Sequence, residues 1–246
     1  MPSTSEVTFD VVGLGSSAID YLDAWQLQRE VHERVVAGTQ ADTVLFLEHP
    51  AVFTAGKRTD EWERPVDTRG AEVIDVDRGG KITFHGPGQL VAYPIVKLPD
   101  HVLVVDFVRR LEEAMIRACR DFGVETGRIP GRSGVWLQAT ELKQERKIGA
   151  IGLRVSHGVT MHGLALNCDV DLSWYDTFAA CGITDAGVTS LSVELGRDVP
   201  VAEVLPVLQK HLTELLEWQT YQADPDYEPR PEPTHAPKVR LLTPAK

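Results

Sequence analysis

Arg78-Gly79-Gly80-Lys81-Ile82-Thr83-Phe84-His85-Gly86-Pro87-Gly88-Gln89 is the stretch on which the reading of this chain turns. Gly79, Gly80, Gly86, Pro87 and Gly88 bracket a short β-type segment, so the backbone there bends tightly and is open to close approach. Glycine reaches positive φ and leaves room for a ligand where a Cβ would collide. Arg78, Lys81, Thr83, His85 and Gln89 add polar groups to that frame. A turn needs one or two glycines, not a polar cassette of this length. The stretch reads as a substrate-binding loop held between rigid strands.

Outward from the cassette, hydrophobic periodicity predicts strands at Thr8–Gly13, Thr43–Leu47, Ala71–Val76, Lys81–His85 and Gln89–Lys97. Further β-rich segments fall at Ser133–Leu137, Arg146–Val155 and Val159–Asn167. A helix over Ser17–Val36 would turn Leu22, Trp25, Val31 and Val35 inward. A second, over Val104–Phe122, has an apolar face of Val104, Phe107, Val108, Leu111, Met115, Ala118, Cys119 and Phe122, and stops at Gly123. A short helical stretch near Ser173–Ala180 and a helix over Val201–Trp218 complete the list. Strand groups interspersed with helices, without strict alternation, predict an α/β chain of the α+β type: a mixed sheet flanked by helices. From Asp224 onward prolines 225, 229, 231, 233, 237 and 244 accumulate and apolar residues thin out. That composition suits an extended or disordered tail. The expected organisation is one folded domain over residues 1–222 and a flexible tail over 223–246.

With 43% hydrophobic residues the 246-residue chain can bury a substantial core. Its formal charge of −11 argues against nucleic-acid or anionic-membrane binding. No run approaches the roughly 18–20 apolar residues of a membrane span. Met1–Asp10 has neither the basic nor the apolar region of a signal peptide. The cysteines, three in number, do not form a disulfide framework. A cytoplasmic protein with reduced thiols is expected.

Gly13-Leu14-Gly15-Ser16-Ser17-Ala18 matches a relaxed dinucleotide fingerprint. The acidic residue such a site needs about 20 positions on is missing, since Glu48 lies farther away, and a simple strand-to-helix turn is the better reading. The histidines show no metal-ligand spacing. His157 and His162 should point to opposite faces of a strand, and no metal is expected. Cys119 lies on an apolar helix face, and Cys168 continues the alternation of Leu164 and Leu166, so both read as core thiols. Cys181, in Phe178–Gly187 among small neighbours, reads equally as nucleophile or inert loop thiol. A nucleophilic thiol of ordinary pKa, about 8.5, needs a partner at neutral pH, and His85, His162 and Lys147 are candidates. Lys147 also reads as one member of a solvated charge cluster over Glu141–Lys147.

Together these segments resemble the lipoyl(octanoyl) transferases. The family's signature of Arg-Gly-Gly, two variable residues, Thr, an aromatic and His-Gly-Pro-Gly-Gln is met by Arg78–Gln89, and Tyr93-Pro94 continues it. Gly131-Arg132-Ser133-Gly134-Val135-Trp136, Lys147–Gly152, His162–Asn167 and Cys181-Gly182-Ile183 follow in the family's order. The resemblance implies a fold like the catalytic domain of biotin and lipoate protein ligases. It implies Cys181 as the acyl-thioester nucleophile and Lys147 as its acid/base partner, with no cofactor. It also implies that Arg78, Gly79, Gly80, Lys81, Ile82, Thr83, Phe84 and His85 line the substrate pocket. Ala150, Ile151 and Gly152, and then Gly163, Leu164 and Ala165, complete that pocket.

The implied donor is octanoyl-acyl carrier protein. The implied acceptors are lysines of lipoyl domains of 2-oxoacid dehydrogenases and of the glycine cleavage H protein, met by a monomer. Because carrier proteins are themselves acidic, Arg58, Arg64, Arg132, Lys143 and Arg146 are expected to form a basic docking face. Two alternatives stand beside this reading: an ATP-dependent lipoate or biotin ligase, which needs no nucleophilic cysteine, and a non-catalytic module that only holds an acyl chain or peptide.

Overall fold

In the computed structural model, which describes residues 7–178 and 186–228, strand β1 (Thr8–Gly13) leads through a 3-10 turn into helix α1 (Tyr21–Val36). Strands β2 (Thr43–Leu47), β3 (Val52–Ala55), β4 (Glu72–Asp75), β5 (Thr83–His85) and β6 (Gln89–Ile95) precede helix α2 (Val104–Asp121). Strands β7 (Gly127–Ile129), β8 (Arg132–Leu137), β9 (Arg146–Ser156) and β10 (Val159–Asn167) come next. A 3-10 turn (Leu172–Thr177), strand β11 (Gly187–Val188) and helices α3 (Leu191–Leu195) and α4 (Val201–Leu215) complete the described chain. Cys181 lies outside the described residues.

The main sheet runs β1-β2-β6-β10-β9-β8-β7, with β11 on β9, and a small sheet runs β4-β3-β5. The β1–β2 pair is parallel and the next pairs along the main sheet are antiparallel, so the expected mixed sheet is formed. Its central strands are buried on both faces. Val44, Phe46, Leu90 and Ala92 meet α2 and α4, while Leu45, Leu47, Val91 and Tyr93 meet α1. This is the period-two alternation of a strand, apolar on both faces.

Helix α1 is capped by Asp20, whose carboxylate accepts from the Leu22 N–H at 2.9 Å. It buries Tyr21, Ala24, Gln28, Val31, His32 and Val35, whereas Leu22 is 48% exposed. The sequence placed Leu22 on the inner face. Tyr21 takes that place because its ring packs against His49 and His85. Helix α2 buries Phe107, Leu111, Met115, Ala118 and Cys119 as its periodicity predicts, though Val104 is exposed. It ends before Gly123, whose φ of 83° suits a glycine after a helix.

The outer face of α2 carries arginines that hold the C-terminal segment by its carbonyls. Arg110 donates to Leu215 O and Gln219 O, and Arg117 to Gln222 O. Arg128 of β7 donates to Asp224 O at 2.8 Å, and the Asp224 carboxylate pairs with Arg120. The Tyr227 N–H donates to Arg128 O at 2.8 Å, which lays residues 224–228 along the edge of β7. The Tyr227 ring fills the space that a side chain on Gly127 would occupy. Packing therefore continues past the boundary read at residues 222 and 223 from proline density. Main-chain groups, which proline counting does not register, supply the adhesion.

Candidate active site

Glycines stitch the cassette onto the main sheet. Gly152 of β9 pairs with Gly163 of β10, and a Cβ on Gly152 would meet Arg78 Cδ at 2.9 Å. The bare backbone lets the loop lie flat, and the Gly79 N–H donates to Leu153 O at 2.8 Å. Arg78, only 7% exposed, donates to Gly79 O, Lys81 O, Thr54 O and Thr54 Oγ1, so its guanidinium organises the loop from within. Beyond Gly80 the segment alternates. Lys81, Thr83 and His85 face a cavity of about 260 Å³, while Ile82 and Phe84 pack in the core of the small sheet with Phe53 and Trp174.

That cavity is also lined by Arg78, Gly80, Lys147, Ala150, Ile151, Gly152, Gly163, Leu164 and Ala165. The structure thus gathers most of the residues read as a substrate pocket; Gly79, Ile82 and Phe84 stand behind its wall. Glu48 ties two loops together under the site, with Oε2 accepting from the Gly15 N–H and Oε1 from the Gly88 N–H. The turn that mimicked a dinucleotide fingerprint is thereby an anchor for the cassette.

A buried chain of hydrogen bonds runs behind the pocket. Asn167 Nδ2 donates to Thr189 O, which can only accept, so Asn167 Oδ1 faces Gln89 Nε2 at 2.9 Å. Gln89 Oε1 then faces His85 Nδ1 at 2.7 Å, and that nitrogen must carry the proton. His85 Nε2 is left as an acceptor toward Thr54 Oγ1. Burial, then the neighbouring His49, lowers the His85 pKa to about 3. Burial likewise lowers His162 to about 3 and His49 to about 4. His85 and His162, the imidazoles considered as partners for a thiol, are therefore weak bases.

Lys147 is not on a solvated loop. It is half-buried on β9, directly opposite Trp136 of β8, with Nζ 4.7 Å from the indole centroid. On its other side Val188 of β11 pairs with it. A second, smaller space of about 30 Å³ is lined by Lys147, Trp136, Thr83, Tyr175 and Ala186, so Lys147 stands where the two cavities meet. Cys119 and Cys168 are fully buried, and burial pushes both thiols up, Cys119 to about 12. Both are core thiols, as their sequence patterns indicate.

The profile of the lipoyl protein ligase A/B catalytic domain matches residues 20–213. The chain is 57% identical over 209 residues to an octanoyltransferase of Salinispora arenicola, covering 85% of this chain and 97% of that one. It is 55% identical over 224 residues to an octanoyltransferase of Thermobifida fusca, covering 90% and 94%. The chain belongs to the octanoyltransferase family.

Its fold is shared with solved lipoate ligases. Lipoate-protein ligase A bound with ATP aligns with a TM-score of 0.60 at 16% identity, covering 85% of each chain. A structure of an archaeal lipoylation system from Thermoplasma acidophilum, with a bi-partite lipoate protein ligase and its E2 lipoyl domain, aligns with a TM-score of 0.59 at 16% identity, covering 89% of this chain and 85% of that one. At such identities the likeness is one of fold alone.

Within this octanoyltransferase-family site, sequence reasoning missed Tyr21 and Thr54. Tyr21 lines the cavity from α1, and burial raises its phenol to about 12. Its signal was a helix phase off by one residue. Thr54 lies in β3, a four-residue strand too short for hydrophobic periodicity to single out. Of the residues read as a basic face, Arg58 and Arg132 both line the cavity, with Arg132 also paired to Glu145, while Arg146 and Lys143 share Glu194 and Arg64 pairs with Asp75. No helix among the described residues is long and apolar enough to cross a membrane.

Proposed function

We propose that this octanoyltransferase-family chain moves an octanoyl group from octanoyl-acyl carrier protein onto Cys181, and from Cys181 to the target lysine of a lipoyl domain. The observation that carries this reading is the position of Lys147. It joins the large cavity to a smaller one bordered by Tyr175 and Ala186, residues on either side of the segment that contains Cys181.

Lys147 takes the Cys181 proton, and the thiolate attacks the donor thioester carbonyl. The carbon–sulfur bond to the phosphopantetheine arm breaks, and that sulfur leaves with the proton from the Lys147 ammonium. The neutral lysine then takes a proton from the incoming lipoyl-domain ammonium. The freed amine attacks the Cys181 thioester, the carbon–sulfur bond breaks as the amide forms, the Cys181 sulfur leaves with the proton shed by the amide nitrogen, and the Lys147 ammonium returns its proton to solvent. Thioester exchange is near balance and the amide is more stable, so no nucleotide is consumed. Backbone N–H groups aimed at the developing oxyanion serve such a step.

In this reading Arg78, Gly80, Lys81, Thr83 and His85, with Ala150–Gly152 and Gly163–Ala165, surround the acyl chain, Gly79, Ile82 and Phe84 stand behind them, and the catalytic domain extends through the docked residues 224–228. The acceptors in this reading are lipoyl domains of 2-oxoacid dehydrogenases and the glycine cleavage H protein, approached by a monomer in the cytoplasm. The test is transfer from octanoyl-acyl carrier protein to a lipoyl domain without ATP. Cys181→Ser and Lys147→Arg should abolish it, because a guanidinium does not release its proton near neutral pH. Full transfer by Cys181→Ser, or transfer only from free octanoate with ATP, contradicts the reading.

A further inference from the structure

We propose that Arg58, at the rim of the large cavity, binds the phosphodiester of the donor's phosphopantetheine arm. This rests on the reading of the donor as a phosphopantetheine thioester that reacts beside Lys147.

The rim is marked by exposure. Among the residues lining the cavity, Tyr21, His85, Tyr93 and His162 are buried, whereas Arg58, Gly131 and Ser133 are exposed. One end is thus closed by rings, and the other opens to solvent beside Arg58. The loop that carries Arg58 is fixed to the cassette. The Lys57 N–H donates to Arg78 O and the Arg58 N–H to Gly80 O, both at 3.1 Å. Gly56 permits that approach, since a Cβ there would meet Gly80 O at 2.5 Å. The Arg58 backbone is therefore held at the opening, and its side chain lines it.

The charges around the opening leave Arg58 to an incoming anion. Lys81 pairs with Glu63 and Asp60, and Arg132 with Glu145. Arg78 donates to carbonyls of its own loop and to Thr54. No carboxylate among the described residues pairs with Arg58, although the chain carries 36 acidic residues against 25 basic ones. In the proposed reaction the thioester carbonyl sits beside Lys147, inside the cavity. The pantetheine arm then runs outward across the rim and brings its phosphodiester, a fixed negative charge, to the opening. A guanidinium suits that group, because its planar fork donates two parallel N–H bonds to phosphate oxygens. The chemistry recognised is that of the arm itself, not of the carrier protein's surface.

The experiment compares three donors in transfer to a lipoyl domain: octanoyl-pantetheine, which has no phosphate, octanoyl-phosphopantetheine, and octanoyl-acyl carrier protein. For each phosphate-bearing donor, the ratio of its kcat/KM to that of octanoyl-pantetheine should fall about tenfold in Arg58→Gln, through KM rather than kcat. Arg58→Lys, which keeps the charge and loses the fork, should fall between. Added salt should lower the wild-type ratio more than that of Arg58→Gln. A ratio unchanged in Arg58→Gln overturns the proposal. So does a fall confined to the carrier protein donor, which would assign Arg58 to the carrier's own surface. Equal loss with all three donors also overturns it, as the mark of a structural role. Failure of the wild-type protein to use any of the three thioesters contradicts the thioester reading and takes the proposal with it.

Discussion

Gln89 Nε2 donates to Asn167 Oδ1 across 2.9 Å, and this bond fixes the direction of the hydrogen-bond chain from Thr189 to Thr54. Its consequence is a single His85 tautomer, protonated at Nδ1. Nitrogen-15 spectra should show one neutral His85 tautomer with an unprotonated Nε2 across pH 5–8. Asn167→Leu should strip the Asn167 donor from the buried Thr189 carbonyl, while Gln89 Nε2 keeps Phe84 O and the Tyr175 hydroxyl, and should cost about 1–3 kcal/mol in denaturant unfolding. A protonated Nε2, or an Asn167→Leu protein of unchanged stability, contradicts the assigned direction.

Acid should destabilise the fold early. His49, His85 and His162 have pKa values lowered by burial to about 4, 3 and 3. In the unfolded chain they titrate near 6.5, so below that pH the unfolded state binds more protons. Their contribution is complete above about pH 6.5 and falls as pH drops toward the folded values. The loss is up to about 1.4 kcal/mol per histidine per pH unit. Thermal midpoints measured from pH 7 to 4 should decline from about 6.5, and a flat profile down to pH 5 would show that these imidazoles protonate without cost.

Truncations separate the docked part of the C-terminal segment from the rest. A chain ending at residue 228 should keep its thermal midpoint. One ending at 222 loses the Asp224 carbonyl from Arg128, the Asp224 N–H from Glu113 and the Tyr227 ring from Gly127. Stripping partners from the buried Arg128 and Glu113 should cost about 1–3 kcal/mol. Equal midpoints for the two truncations would mean that these contacts contribute nothing.

Much of this was legible in the residues. The cassette announced its pocket because glycines and polar groups alternate there, and β10 and α2 announced themselves through clean periods. Tyr21 escaped because Leu22 and Trp25 offered an equally apolar helix phase, and only contact with His49 and His85 chooses between them. The Trp136–Lys147 pairing escaped because it depends on a register shift between two strands, which no single strand encodes. The docking of Asp224 and Tyr227 escaped because it is made largely by carbonyls and amides common to all residues.

Gly163 tests the close approach at the centre of the sheet. A Cβ there would overlap the Ala92 carbonyl and touch Pro94 Cδ at 2.7 Å. Gly163→Ala should cost about 1–3 kcal/mol, as overpacking does. Gly158→Ala is the control, since nothing lies within 4 Å of its Cβ and it bears only the strain of a positive φ. Equal tolerance of both substitutions would contradict the packing at Gly163.

The central claim is a covalent acyl group on Cys181. Intact-mass analysis after a brief incubation with octanoyl-acyl carrier protein, lipoyl domain omitted, tests it directly. The account predicts one added octanoyl group, mapped to Cys181, released by hydroxylamine and by addition of lipoyl domain, and missing from Cys181→Ser but retained in Cys119→Ser. Catalytic transfer to the lipoyl domain with no octanoyl ever carried on Cys181 would contradict it.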